Sequence, residues 1–143
     1  MRGKENDDNP FNEIFGSITD LTATFNLSDL WGIGLNMSYR QLNPEFSDTE
    51  YWAAAAVYAD YALTNTFKMA LRLEHIYDSD GIILNVDDTQ ITSLTLSGNI
   101  QIQNLRLIPE FRIDAASNDV FLDQDFRSTA NNAAVVLGVV YGF

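Results

Sequence analysis

The sequence from Tyr51 to Asp78, YWAAAAVYADYALTNTFKMALRLEHIYD, decides the fold. Its second half alternates between two sets of side chains: Phe67, Met69, Leu71, Leu73, His75 and Tyr77 on one side, and Lys68, Ala70, Arg72, Glu74, Ile76 and Asp78 on the other. A repeat of two residues is the period of a β-strand, because successive side chains point to opposite faces of the sheet. The stretch therefore predicts two long strands, 51–62 and 67–78, joined by a short turn at 63–66.

The same alternation continues on both sides of this hairpin. It predicts two strands before the hairpin and three after it, at 15–27, 31–40, 89–102, 105–114 and 132–143. Pro109 lies inside one of these strands and should remove one bond of its ladder, because proline has no N–H. Residues 1–14 are polar and acidic, and they predict a lead-in or an extracellular loop.

The connections between the predicted strands alternate strictly in length. Tight turns follow the first, third and fifth strands, and long loops follow the second, fourth and sixth. Outer-membrane barrels have this asymmetry, with short periplasmic turns and long extracellular loops. Aromatic residues lie at both ends of the apolar strand faces, like the interfacial girdles of such barrels: Trp31, Tyr61, Phe67, Tyr141 and Phe143 near the tight turns, and Phe15, Tyr39, Tyr51 and Tyr77 near the long loops. These patterns predict an all-β fold, an antiparallel up-and-down transmembrane β-barrel over 15–143 with about seven visible strands.

The amino-acid composition argues against several classes of function. Eight basic residues against 20 acidic ones argue against a nucleic-acid partner, because a phosphate backbone needs a basic surface. The chain has no cysteine, which excludes disulfides and thiolate metal sites. The single histidine, His75, falls on the apolar side near the outer edge, and no Ser, His and Asp set shares a face. We therefore expect no enzymatic activity and no cofactor.

The polar strand faces carry charges of both signs. We predict that the following residues line the barrel interior: Arg40, Lys68, Arg72, Glu74, Asp78, Arg106, Glu110, Arg112 and Asp114. They could produce a transverse field across a pore, which orients polar solutes. They could equally form a ladder of neutralising ion pairs that fills the interior and fixes the strand register. Both interpretations require the same residues on the same face.

Carboxylates also concentrate in the long loops, and oxygen-rich clusters can hold calcium. Asp78-Ser79-Asp80-Gly81 is only a fragment of a calcium-loop pattern, since it lacks the later bidentate glutamate at the right distance. We predict a solvated acidic rim and no metal site, with Asp78 and Asp80 as the nearest candidates.

Several motifs resemble the OmpL-like beta-barrel porin-2 family. They are YADYALTN at 58–65, ALRLE at 70–74, DSDG at 78–81 and RLIPEFRID at 106–114, the last one residue looser than the family's usual spacing. The ending VVYGF at 139–143 is similar to the aromatic terminus of outer-membrane barrels, which the assembly machinery reads. The resemblance covers nearly the whole chain, although those porins are considerably longer.

The resemblance implies a bacterial outer-membrane channel for passive diffusion of small hydrophilic solutes or ions. Its partners would be the lipid bilayer, the assembly machinery at Phe143 and the solutes, and a homo-oligomer is a further option. Seven strands is an odd number where bacterial barrels have an even one, so we expect the C-terminal part of a larger barrel. The alternative is a non-conducting barrel that acts as a membrane anchor or a partner-binding module.

Overall fold

The computed structural model describes residues 15–43 and 48–143, in which seven long strands form one antiparallel sheet. The strands are β1 Phe15–Asn26, β2 Trp31–Asn43, β3 Glu50–Ala62, β4 Phe67–Asp78, β5 Thr89–Ile102, β6 Leu105–Ala116 and β9 Asn131–Tyr141. They lie side by side in chain order, so the sheet is an up-and-down meander. Two short strands, β7 Phe121–Leu122 and β8 Ser128–Thr129, pair with each other in the last long loop. Nowhere in the described ranges is there a helix long and apolar enough to cross a membrane.

The prediction of seven antiparallel strands is confirmed, and several strand ends differ. β1 ends at Asn26, β3 begins at Glu50, and β9 spans Asn131–Tyr141 instead of the predicted 132–143. β2 extends to Asn43 and β6 to Ala116, each beyond the predicted end. β7 and β8 lie in a segment predicted as loop, because two residues are too few to show a period of two. The predicted lead-in at 1–14 and the side chain of Phe15 lie outside what the structure describes. The sheet is also not closed: its edges are β1 and β9, and the described residues of these strands do not pair with each other.

Two of the tight turns use a hydroxyl to fix the hairpin. Ser28 Oγ accepts hydrogen bonds from the N–H groups of Leu30 and Trp31 at 3.2 and 3.1 Å. Thr64 Oγ1 does the same for Thr66 and Phe67, at 3.2 and 3.0 Å. Such side-chain bonds hold the turn and therefore set the register of the strands that follow. The ends of the sheet are hereafter the tight-turn end, with turns 27–30, 63–66 and 103–104, and the long-loop end.

The ladder between β5 and β6 is interrupted where the sequence predicts it. Assigned pairs run as far as Ser97–Glu110 and resume at Ile100–Leu107, and Pro109 lies in the gap. A Cβ atom on the neighbouring Gly98 would come within 3.3 Å of both Pro109 Cγ and the Phe67 ring. The glycine therefore lets the proline ring fit against β5.

The two faces of the sheet differ in polarity and in exposure. Leu71, Leu73, Leu94 and Leu96 share one face and are 39–52% exposed. Ala56, Ser93 and Thr95 share the other face and are at most 4% exposed. A face of a single sheet is covered only when its own side chains converge, so the polar face is concave. We call it the inner face, defined by the row from Thr24 to Arg112 described below, and the apolar face the outer face.

Candidate functional site

Strand pairing arranges the charges of the inner face in rows. One row runs Thr24, Gly34, Tyr58, Arg72, Thr95 and Arg112 from β1 to β6. Toward the long-loop end the next row contains Glu74 and Asp114, and toward the tight-turn end the next one contains Asp60 and Glu110. Lys68 and Arg106 follow nearest the turns. The rows therefore alternate in sign, about 6.8 Å apart along a strand.

Arg112 connects the charged side chains of β4 and β6. Its Nε donates to Asp114 Oδ1 at 2.7 Å, and its Nη1 donates to Glu74 Oε2 at 3.2 Å. Its Nη2 donates to Ser93 Oγ at 3.0 Å, on the strand between them. The side chains of β5 at this level are the small Ser93 and Thr95, so the longer side chains of β4 and β6 meet above that strand.

Two further residues complete this network. Arg72 Nη2 lies 3.3 Å from Glu74 Oε2, and Asn132 Nδ2 donates to Asp114 Oδ2 at 2.9 Å. The Asp114 side chain is 5% exposed, and the other three charged groups are 22–31% exposed. Two guanidiniums and two carboxylates sum to zero charge, so this part of the inner face fits the ion-pair interpretation. Arg72 Nε and Thr95 Oγ1 are buried without a hydrogen-bond partner.

The remaining predicted charges are more accessible. Lys68 Nζ lies 3.3 Å from Asp60 Oδ2, and these side chains are 56% and 39% exposed. Arg106 Nε donates to Gln101 Oε1 at 3.3 Å. Within residues 15–43 and 48–143, neither Arg40 nor Glu110 forms an ion pair. On the inner face, Arg40 is exposed and Glu110 is half-buried.

Asp78 lies in the inner-face register, and the loop that follows β4 engages its carboxylate. It is completely buried, and its carboxylate accepts hydrogen bonds from the backbone N–H groups of Ile82, Ile83 and Leu84, each at 2.9 Å. Asp80 Oδ2 accepts from the N–H of Tyr51 at 2.9 Å. Both carboxylates therefore organise the loop after β4. In the described part of the chain, no three His, Cys, Asp or Glu residues are grouped to hold a metal ion.

Sequence reasoning missed a second polar group, near the open edge. Asp20 on β1 accepts hydrogen bonds from Asn36 Nδ2, at 3.1 Å, and from Ser38 Oγ, both on β2. The sequence pattern that could have revealed this group is that these polar residues lie on the same face of neighbouring strands: Asp20 pairs with Ser38, and Thr22 pairs with Asn36.

The outer face carries aromatic clusters near both ends and one polar pair. The Trp31 and Tyr61 rings are 4.5 Å apart near the tight turns. At the other end, the Tyr51 ring is 5.9 Å from Tyr39 and 6.0 Å from Tyr77. His75 Nδ1 is hydrogen-bonded to Thr92 Oγ1 at 3.0 Å, on the outer face as predicted. The clusters occupy the positions of the two predicted girdles.

One comparison with known proteins gives a match. The model of a protein family described as "Putative beta-barrel porin-2, OmpL-like" matches residues 1–143, which is the whole chain. No curated protein and no solved structure matches the chain. The family match agrees with the resemblance that the motifs at 58–81 and 106–114 carry.

Proposed function

The chain belongs to the OmpL-like beta-barrel porin-2 family. On this premise we propose that it forms the wall of a channel, or part of that wall, in a bacterial outer membrane. The wall passes small hydrophilic solutes or ions by passive diffusion. The observation that carries the proposal is the separation of the two faces: aliphatic side chains between aromatic clusters on the outer face, and polar and charged side chains on the concave inner face.

The outer face supports contact with lipid. Val135, Leu137 and Val139 on β9 are 81%, 62% and 59% exposed. Apolar side chains arranged in continuous rows are costly to hydrate and favourable in hydrocarbon. The other partner we propose is the assembly machinery, which would read the fully exposed ring of Phe143.

The inner face supports contact with water and solute. Arg40 and Glu110, which have no ion-pair partner among the described residues, and the half-exposed Lys68 and Asp60 give it accessible charges of both signs. Such charges attract and orient polar solutes. We propose no catalytic activity, since His75 is bonded to Thr92 on the opposite, outer face.

The open edges support a wall with more strands than these seven. β1 and β9 both run from the long-loop end to the tight-turn end, so the two edges are parallel to each other. In hydrocarbon, each unpaired backbone group of an edge costs several kcal/mol. We propose that further strands, odd in number and antiparallel to β1 and β9 where they join, complete the barrel. The seven strands are then one portion of a larger wall.

A second function is favoured by the neutral network around Arg112. Four charged side chains that neutralise each other above β5 fill space on the inner face. Small barrels are filled by side chains in this way and do not conduct. The second candidate is therefore a non-conducting barrel that anchors or binds a partner.

Liposome swelling distinguishes the two functions. The protein is purified from the outer membranes of an expressing bacterium, reconstituted and exposed to neutral sugars of increasing size. The channel predicts sugar uptake that falls with solute size. Absence of uptake from protein that still migrates as a folded, heat-modifiable band would exclude the channel and leave the anchor.

A further inference from the structure

The loop after β4, residues 79–88, is held in place by one buried side chain. The Asp78 carboxylate accepts hydrogen bonds from three consecutive backbone N–H groups, those of Ile82, Ile83 and Leu84. Hydrogen bonds to an ionised carboxylate are stronger than those between neutral groups. Three of them converging on one side chain fix the middle of the loop against the end of β4.

The loop is closed by its own backbone as well. The N–H of Asp88 bonds to the carbonyl of Ser79, and the N–H of Asn85 to the carbonyl of Gly81, both at 2.9 Å. Gly81, Asn85 and Asp88 have φ values of 63°, 55° and 52°, the left-handed region that sharp turns use. A Cβ at Gly81 would lie 2.8 Å from Asp87 Oδ1 and 3.0 Å from the backbone N of Val86, so the loop is tightly packed.

The loop lies over the inner face. Asp78 pairs with Trp52 on β3 and with Thr89 on β5, in the inner-face register, whereas Tyr77 belongs to the outer face. Asp78 and Thr89 are completely buried and Ile91, next on the inner face of β5, is 7% exposed. At this end of the sheet the amides of residues 82–84 meet the Asp78 carboxylate on the inner face, so the loop covers part of that face.

The following loop reinforces this cover. Asn118 Nδ2 donates to Thr89 Oγ1 at 2.8 Å. Ser117 exchanges two bonds with Gln90: its N–H donates to the Gln90 carbonyl at 2.9 Å, and its Oγ accepts from the Gln90 N–H at 2.9 Å. The Ser117–Gln90 bonds continue the β5–β6 ladder, and the Asn118 bond brings the second loop to the inner-face residue Thr89 at the start of β5.

We propose that loop 79–88 is the entrance constriction of the channel, and that Asp78 is the positioning residue that keeps it folded over the mouth. This inference rests on the proposed function. The loop presents exposed Ile83 and Val86 beside the exposed Asp87, so it limits the size of an entering solute and disfavours anions.

Asp78→Asn is the variant that tests the positioning role. The amide has nearly the shape of the carboxylate, but it has one acceptor oxygen where two are needed, and its NH₂ group would face backbone N–H donors. Asp87→Asn is the matched control, because it removes the same charge from the same loop at a side chain that no hydrogen bond holds in the structure.

Hydrogen exchange of the folded protein provides a readout that does not depend on conduction. The amides of Ile82, Ile83 and Leu84 should be protected in the native protein and in Asp87→Asn. They should exchange faster by about tenfold or more in Asp78→Asn, because the loop opens locally. Equal protection in all three proteins would overturn the positioning role.

Single-channel conductance tests the constriction. Asp78→Asn should conduct more than Asp87→Asn and admit larger sugars. Faster exchange with unchanged conductance and size limit would overturn the constriction. If no protein conducts, including the native one, the proposed function fails while the exchange result still decides the role of Asp78.

A second approach leaves Asp78 intact, in case its variant does not fold. The chain has no cysteine, so a single reporter can be placed by Ile83→Cys, with Leu122→Cys in the β7–β8 hairpin as a control that is more exposed, at 66% against 45%. A bulky membrane-impermeant thiol reagent should reduce the current through Ile83→Cys and leave Leu122→Cys unchanged. Block at Leu122→Cys alone would contradict the proposal.

Discussion

Arg112 connects side chains of three strands on the inner face of the sheet. All three nitrogens of its guanidinium donate, to Asp114 on its own strand, to Glu74 on β4 and to Ser93 on β5. A planar fork with fixed donor directions can satisfy three partners at once, and a lysine ammonium on a flexible stem cannot.

We therefore expect Arg112→Lys to destabilise the folded protein by roughly 1–3 kcal/mol, which corresponds to the loss of charge-assisted hydrogen bonds. Arg106→Lys is the control, because Arg106 is exposed and holds only Gln101, at 3.3 Å. Urea unfolding of the protein in lipid vesicles measures both. Equal stabilities for the two variants would show that the network contributes nothing.

At the scale of the strand, period two determines which solvent each side chain meets. Leu71 is 46% exposed in the middle of the outer face of β4, and the adjacent Ala70 lies on the inner face in the row with Asp60 and Glu110. Leu71→Arg should cost roughly 2–4 kcal/mol, the penalty for arginine near the bilayer midplane.

Ala70→Arg provides the comparison for Leu71→Arg, because it introduces the same side chain one residue away. It should cost little, since the new guanidinium would meet water and two carboxylate-bearing neighbours in its row. The measurement is the urea midpoint of each variant in vesicles of defined lipid. A larger loss from Ala70→Arg would reverse the assignment of the faces.

The sequence is informative about elements and much less so about contacts. β4 and β5 can be predicted almost to the residue, because one face of each is apolar and the other is not. The hydrogen-bond network of Arg112 cannot be predicted in this way. Arg112 and its partner Glu74 are 38 residues apart in sequence, and whether they meet depends on the register of two hairpins. The role of Asp78 also escapes prediction, because its partners are backbone amides that no side-chain pattern reveals.

At the scale of the whole molecule, the open edges determine how the chain behaves alone. Copies inserted in the same orientation would all present edges of the same direction, so two copies could join only through a parallel pair. Such pairs are slightly weaker than antiparallel ones. We expect residues 1–143 alone to associate or aggregate through these edges rather than form a wide pore.

The mass of the isolated chain in detergent, measured together with planar-bilayer recordings, checks this expectation. It predicts species heavier than a monomer and no steady, large-conductance openings. A monomer with steady, large openings would show that these seven strands close by themselves and that their interior is not filled.

The central claim is that the outer face meets lipid and the inner face meets water, and a cysteine scan along β4 tests it most directly. Single cysteines replace each residue from 68 to 76 in a chain that otherwise has none. A water-soluble thiol reagent and a bilayer-confined quencher then report each position in the assembled barrel. We predict strict alternation, with even positions reached from water and odd positions from lipid. The opposite phase, or no alternation, would contradict the account.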